Sequence, residues 1–444
     1  MHFILLSGGS GKRLWPLSND VRSKQFIKIF RREDGTYESM VQRVYRQIRQ
    51  ADPTAEVTIA TSKTQVSAIR NQLGDEVGIC VEPCRRDTFP AIALASAYLH
   101  DVKGVSEDEA VVVCPVDPYV DIGYFETLGR MQKHAQEGAA NLVLMGIEPT
   151  YPSEKYGYII PAENAALSAV ACFKEKPDAA TAAQYIRQGA LWNGGVFAFK
   201  LGYLLRTAHQ LLDFKNYEDL FARYEDARRI SFDYAVVEKE KSIAVVRYNG
   251  TWADLGTWNT LTEAMQENAV GDVRMNENCT NVHVLNDLNM PILCMGLKNM
   301  IISASPQGIL VSDKEQSSYI KPYVDAIDQQ IMFAEKSWGS FKVLDVEQES
   351  LTIKITLLPG HRLHYHSHEH RQESWTVVRG TGVAVVDDQE IALCPGEVVN
   401  LPAGSRHTVI ASTEMVIIET QMGKDISVAD KQKYSLSDRY GQHP

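Results

Sequence analysis

The stretch from Phe3 to Phe30, FILLSGGSGKRLWPLSNDVRSKQFIKIF, constrains the fold more than any other. Phe3-Ile4-Leu5-Leu6 is an apolar run closed by turn residues, the pattern of a buried first strand. Ser7-Gly8-Gly9-Ser10-Gly11-Lys12-Arg13 follows it directly. Glycines let a backbone turn sharply and approach a ligand closely. A loop of free N–H groups leading into a helix makes a cradle for phosphate. Lys12 and Arg13 add charge that neutralises a polyphosphate, the arginine in bidentate fashion, and Lys24 can reach a second anionic group. This is not a Walker A loop, since no Gly-Lys-Ser/Thr closes it. Nor does it complete the dinucleotide fingerprint, because Leu14 stands where the last glycine would be.

Residues 1–265 alternate short apolar runs with helical patterns. Val57–Ala60, Val77–Val81, Ala110–Cys114 and Leu142–Met145 read as strands, and Met40–Arg49 and Ala91–His100 as helices. That rhythm predicts an α/β domain, a mostly parallel, Rossmann-like sheet with helices on both faces. Ligands in such sheets bind beyond the carboxyl ends of the strands, where the glycine loop lies. Residues 266–334 change character, with short β-rich pieces and Asn and Gly turns. Residues 335–444 hold strand–turn–strand patterns rich in Val, Ile and Thr, the mark of an all-β barrel or jelly roll.

The chain of 444 residues, 44% hydrophobic and 23% charged, can build several ordinary cores. Its net charge of −11 argues against a nucleic-acid partner held by a global basic face, but not against a local phosphate site. Seven scattered cysteines without zinc spacing predict reduced, buried thiols. No apolar run reaches the roughly 18 residues of a membrane span. MHFILLS is too short for a signal-peptide core, so a cytoplasmic protein without a membrane partner is expected.

Three clusters carry chemistry. Glu82-Pro83-Cys84-Arg85-Arg86-Asp87-Thr88 ends a predicted strand, where the Glu82 carboxylate can accept from both the ring N–H and the amino group of guanine. Asp87 or Thr88 before Pro90 also makes a good helix start. Asp117 follows a very apolar strand and can hold Mg²⁺ against triphosphate oxygens, with Asp254 as its partner. Gly360 to Gly380 fits Gly-x5-His-x-His-x4-Glu-x6-Gly, and Gly396 to His407 fits Gly-x5-Pro-x-Gly-x2-His. Residues two apart on a strand share a face, so His366 and His368 can point into one barrel. Glu373 and His407 complete a site suited to Zn, Fe, Mn, Ni or Co.

GGSGKRLWPLS followed by SKQF resembles the signature of sugar-1-phosphate nucleotidylyltransferases, the mannose-1-phosphate guanylyltransferases above all. Trp252-Ala253-Asp254-Leu255-Gly256-Thr257-Trp258, Phe173–Pro177 and Ser231–Glu238 resemble further elements of that family. The resemblance implies GTP and mannose 1-phosphate as substrates, Mg²⁺ as cofactor and GDP-mannose and pyrophosphate as products. It implies that the segment from Leu6 to Arg13 holds the nucleotide phosphates and that Glu82, Pro83, Arg86, Asp87 and Thr88 read the base. Arg13, Lys24, Asp117 and Asp254 would be the catalytic set. Tyr156, Gly157, Glu175, Lys176, Asn193 and Asp233 would line the sugar-phosphate side. The family's β-helical linker domain would occupy residues 266–334, and a homo-oligomer, a dimer, is expected. Pro118 departs from the family, which usually has histidine there.

The two glycine–histidine patterns are those of cupins. Behind a guanylyltransferase they resemble the type II mannose-6-phosphate isomerase module, which implies an isomerase activity. Here His366 replaces the family's first Gln, Ser374 replaces a histidine, and Gln442 stands after Asp438-Arg439-Tyr440-Gly441 where an arginine usually follows. Those departures leave a non-catalytic cupin as the rival reading. A nucleotidylyltransferase for another NTP and sugar 1-phosphate, and a non-catalytic sugar-nucleotide-binding or metal-sensing protein, are the alternatives for the whole chain.

Overall fold

The computed structural model describes residues 1–8, 12–19, 21–327, 330–424, 426–427 and 429–436. Gly9, Ser10 and Gly11 of the glycine loop, and the tail motif from Asp438 to Gln442, lie outside the described residues. The chain forms two compact units. One comprises Met1–Ser10, Lys24–Val66 and Leu73–Gln266, and the other Gly11–Ser23, Ser67–Gln72 and Glu267–Pro444.

The first unit is built on β1 (His2–Ser7), α1 (Met40–Ala51), β2 (Glu56–Ser62), β3 (Gly78–Glu82), α2 (Thr88–Asp101) and β4 (Ala110–Pro115). It continues through β5 (Pro118–Val120), α3 (Ile122–Gln136), β6 (Leu142–Ile147), β7 (Gly157–Pro161), β8 (Leu167–Lys174), β9 (Leu191–Lys200), β10 (Ile243–Tyr248) and β11 (Trp252–Asp254). Nine of these strands form one sheet in the order β3-β2-β1-β4-β9-β6-β10-β8-β7. β1 lies parallel between β2 and β4, and β2 is parallel to β3. Beyond β4 the sheet is mixed, because β9 runs antiparallel to both β4 and β6. Apolar periodicity marks a strand but not its direction, so the antiparallel insertion is invisible in the pattern.

Local chemistry explains the elements. α1 starts at a capping box in which Ser39 and Gln42 satisfy each other's backbone donors. α2 starts at Asp87, whose carboxylate accepts from Thr88 N at 2.8 Å. Phe89 to Ala97 of α2 are buried on every side, as a helix inside a core must be. Val111, Val112 and Val113 of β4 are fully buried, each contributing roughly 1.5–3 kcal/mol by leaving water. Val112→Asp would place an unpaired charge there and break the sheet. Four parallel strands end together at Ser7, Ser62, Glu82 and Pro115.

In the second unit, β12 (His283–Asn286) and β13 (Met300–Ser305) are parallel, and β14 (Gly308–Asp313) runs antiparallel to β13. Asn281 and Asn299, 18 residues apart, occupy the left-handed region at φ 53° and 54° and hydrogen-bond through their side chains at 2.8 Å. Asparagine tolerates that conformation, and stacked Asn pairs are a device of repeated parallel coils. α4 (Lys321–Asp325) closes this part, with Pro322 in its first turn.

The C-terminal β part packs a six-stranded against a five-stranded sheet. Its site-bearing strands are β15 (His366–Ser367), β16 (Arg371–Arg379), β17 (Val398–Leu401), β18 (His407–Ala411), β19 (Met415–Gly423) and β20 (Gln432–Lys433). Along β16, buried Arg371, Glu373, Trp375 and Val377 alternate with more exposed residues. Trp375, Val377, Leu401, Val409 and Ile417 share one core.

All seven cysteines are free thiols. Cys80, Cys114 and Cys294 are buried, but Cys172 and Cys394 are exposed, which corrects the expectation of uniformly buried thiols. Cys172 stands at a register shift in β8, and Cys394 lies past the end of a strand, so neither reaches the core. No helix among the described residues is long and apolar enough to cross a membrane.

Candidate active site and metal centre

The strand ends of the first unit open into a cavity of about 570 Å³. Leu6, Ser7 and Gly8 from the start of the glycine loop line it, as do Glu82, Asp87 and Thr88. A buried network fixes Ser7 from below: its Oγ donates to Gln65 Oε1 at 3.1 Å and accepts from Gln25 Nε2 at 3.1 Å. Thr61 Oγ1 donates to the same Gln65 oxygen at 2.9 Å. Glu82 accepts from Tyr224 Oη at 2.9 Å, and burial raises its carboxyl pKa above the usual range. Thr88 Oγ1 accepts from Phe232 N at 2.8 Å, which ties the start of α2 to the segment carrying Asp233.

Not every expected residue lines this cavity. Arg86 donates to the backbone oxygen of Glu225, and neither Arg86 nor Pro83 lines the cavity. Arg85 and Arg229 do line it. No motif marks Arg229, and the sequence pattern singles out Arg86 and not its neighbour Arg85. Arg13 is exposed on the short turn Lys12–Leu14, in the segment that clusters with the second unit.

A smaller cavity of about 180 Å³ adjoins the first. Pro115, Asp117 and Gly194 line both. Tyr156, Asn193, Trp252 and Asp254 complete the smaller one together with Pro118. β11 pairs antiparallel with β5 so that Asp254 lies opposite Pro118, which brings Asp254 beside Asp117 from 137 residues further along the chain. Lys24 Nζ lies 2.8 Å from Asp117 Oδ2 and 3.5 Å from Asp254 Oδ1. Burial works against its ammonium, but attraction to the two carboxylates outweighs it and the lysine pKa is raised.

The other residues expected on the sugar side lie beside one another, with Asp233 lining the larger cavity. A Cβ on Gly157 would lie 2.5 Å from Glu175 Oε2, so only glycine lets this backbone pass. Glu175 is buried and its Oε1 pairs with Lys176 Nζ at 2.8 Å. Its Oε2 is buried without a hydrogen-bond partner. Asn193 Nδ2 donates to Asp233 Oδ1 at 2.6 Å. Burial, then the nearby Glu175 charge, pushes the Asp233 carboxyl up to about 6. Tyr156 packs edge-on against Trp252 at 5.4 Å and tilted on Trp192 at 5.0 Å.

In the second unit, His366, His368, Glu373 and His407 are all buried, with ligand atoms within 4.8 Å of one another. The β15–β18 pairing sets His366 opposite His407. Each histidine directs Nδ1 to a backbone oxygen: His366 to His364 at 2.6 Å, His368 to Asp430 at 2.5 Å, His407 to Ser405 at 3.0 Å. That fixes the ring orientations and turns the Nε2 atoms toward the centre, the usual outer-shell arrangement of metal histidines, although Arg371 Nη2 lies 3.1 Å from His368 Nε2. His407 Nε2 and Glu373 Oε2 lie 3.3 Å apart without hydrogen-bond geometry, and both are buried without a partner. Burial, then Lys431 and His407, pushes the His366 imidazole down to about 2, so the ring is neutral and its nitrogen can ligate. The donor set and the orphaned atoms fit a transition metal.

A family model for nucleotidyl transferase matches residues 2–270, and one for the mannose-6-phosphate isomerase C-terminal part matches residues 326–435. The chain is 29% identical to the xanthan biosynthesis protein XanB of Xanthomonas campestris pv. campestris (strain B100), covering 99% of this chain and 98% of that protein. It is 28% identical to mannose-1-phosphate guanylyltransferase of Salmonella montevideo, covering 99% of each. Among solved structures, the Thermus thermophilus protein described as mannose-1-phosphate geranyltransferase aligns with a TM-score of 0.61 at 27% identity, covering 73% of this chain and 98% of that one. With its strand-end cavity, its glycine loop and a family match over more than half its length, the chain is an enzyme of the nucleotidyl transferase family, followed by a cupin-like domain.

Proposed function

We propose that this enzyme transfers a guanylyl group from GTP to mannose 1-phosphate, giving GDP-mannose and pyrophosphate. The observation that carries the reading is the cluster of Lys24, Asp117 and Asp254 where two cavities meet. The larger cavity suits a nucleotide, with Glu82 facing guanine, and the smaller suits a sugar phosphate. The orphaned Glu175 Oε2 accepts a sugar hydroxyl, and Lys176 meets the sugar's phosphate.

A phosphate oxygen of the sugar 1-phosphate attacks the α-phosphorus. The new P–O bond forms as the bond to the β-phosphate oxygen breaks, and pyrophosphate leaves with that electron pair. The nucleophile has a second pKa near ~6 and is largely dianionic at neutral pH, so no general base is needed. Lys24, Arg13 and Lys176 neutralise charge and hold the reactants in line. Two carboxylates that already converge on one ammonium cation also fit Mg²⁺, which Asp117 and Asp254 would hold and which would neutralise triphosphate oxygens. Asp254→Ala tests the reading: turnover should vanish in a folded protein, and full retained activity would remove the assignment.

For the cupin we propose a resident divalent transition metal on His366, His368, Glu373 and His407, and an aldose–ketose isomerase activity on mannose 6-phosphate. Such a metal would polarise the carbonyl and hydroxyl oxygens of the open-chain sugar. Formation of fructose 6-phosphate by the full chain tests it, and a metal-loaded protein that forms none contradicts it.

A further inference from the structure

The second half of the signature stretch is seated on the β-helical part of its own unit. Trp15 packs on Gly308, where a Cβ would fall 2.5 Å from the indole Cζ2 and 2.8 Å from Cη2. Ser305 Oγ donates to Pro16 O at 2.8 Å, a buried bond. Gln307 Oε1 accepts from Asn19 Nδ2 at 3.4 Å, and Gln307 is held from behind by Met332 N at 3.0 Å and Gln330 O at 2.8 Å. These residues form the turn between β13 and β14. Asn19 in turn accepts from Val21 N and Arg22 N at 2.8 and 2.7 Å. At the other end, Lys12 pairs with Asp325 of α4 at 3.2 Å. Arg22 pairs with Asp287 at 3.2 Å and lies 5.0 Å over Phe333.

This seat grips backbone on both sides of functional residues. Arg13 follows Lys12 directly, and Lys24 comes two residues after Arg22. A residue spans at most about 3.6 Å of chain, so a shift at Trp15 or Arg22 is passed to its neighbours. In-line phosphoryl chemistry is sensitive to displacement: about 1 Å can cost roughly 100-fold.

We propose that the turn at residues 305–308 and Asp325 are positioning elements for nucleotidyl transfer, acting through the backbone of residues 12–22. The proposal rests on the function proposed above, and it assigns the β-helical part a role in catalysis rather than in spacing alone. None of these residues lines either cavity. They set where Arg13 stands.

The test uses full-length protein carrying Gly308→Val, which drives a side chain into Trp15, or Asp325→Asn. Steady-state kinetics with GTP and mannose 1-phosphate is combined with hydrogen–deuterium exchange over residues 12–22. Gly308→Val should lower kcat/KM for GTP by roughly 10- to 100-fold. The KM for mannose 1-phosphate should stay within about 2-fold, since the sugar side is held by other residues. Asp325→Asn should lower kcat/KM for GTP by about 3- to 10-fold, and Asp325→Glu should restore it. Exchange should rise in residues 12–22 and nowhere in the cupin. Wild-type kinetics in folded Gly308→Val or Asp325→Asn protein would overturn the proposal, as would an equal rise in the KM for GTP and for mannose 1-phosphate. If the unmodified enzyme turns over no GTP, the functional reading fails and exchange alone decides. A rise confined to residues 12–22 then supports the seat, and unchanged exchange overturns it.

Discussion

Lys24 holds its ammonium 2.8 Å from the carboxylate of Asp117, a residue that lines both the larger and the smaller cavity. In the proposed reaction a cation at that point would face the phosphates of both substrates. Asp117 and Asp254 are 35% and 46% exposed at the side chain, so water screens their repulsion when Lys24 is removed. Lys24→Gln should therefore change the melting temperature little, yet lower kcat by about 100-fold or more. Differential scanning calorimetry beside initial-rate kinetics separates the two effects.

Gly157→Ala should act on the proposed sugar side alone. Its new methyl would fall 2.5 Å from Glu175 Oε2 and displace a buried carboxylate. The KM for the sugar 1-phosphate should rise by about 10-fold or more, while the KM for the nucleotide stays near its original value. A matched set of saturation curves checks this.

Asp233 gives a pH signature. Its folded-state pKa of about 6 lies above the ordinary aspartate value, chiefly through burial. The folded state therefore holds the proton more tightly than the unfolded chain, and this stability is present at low pH and lost as pH rises through about 6. The loss is roughly 3 kcal/mol at most. Asp233→Asn removes the charge and keeps an oxygen that can accept from Asn193. It should raise stability relative to the unmodified protein at about pH 8 and not at about pH 4. Urea unfolding at both pH values reads the difference.

The cupin centre should be separable from the transfer site. His407→Ala removes one of four buried donors and should lower bound metal from about one per chain to a small fraction. Nucleotidyl transfer should change by less than about 2-fold, since the proposed transfer mechanism uses none of these residues. Elemental analysis of purified protein, paired with a transfer assay, tests both parts.

How much could be read in advance depended on whether a residue sits in a local pattern. The glycine loop, the apolar strand before Asp117 and the His-x-His spacing are contiguous, so the strand ends and the four-donor centre were legible. Asp254 is legible because it stands in the dense local string Trp252–Trp258. Arg229 joins the cavity from a stretch with no periodic or motif signal, and tertiary packing alone brings it there. Gln25 and Gln65 look like ordinary polar residues, yet both are buried beneath Ser7, where only folding reveals their partners. Arg86 was legible as a basic residue beside Glu82. Its direction toward the Glu225 backbone was not, because side-chain aim depends on a loop about 140 residues away. The seat of residues 12–22 on the β13–β14 turn is likewise a long-range fact, since Pro16 and Ser305 are 289 positions apart.

Pyrophosphate release over a grid of nucleoside triphosphates and sugar 1-phosphates, with Mg²⁺ and then with chelator, tests the central claim most directly. The expected result is turnover with GTP and mannose 1-phosphate that chelator abolishes and Asp254→Ala does not support. Absence of pyrophosphate release from every pair by folded protein would contradict it.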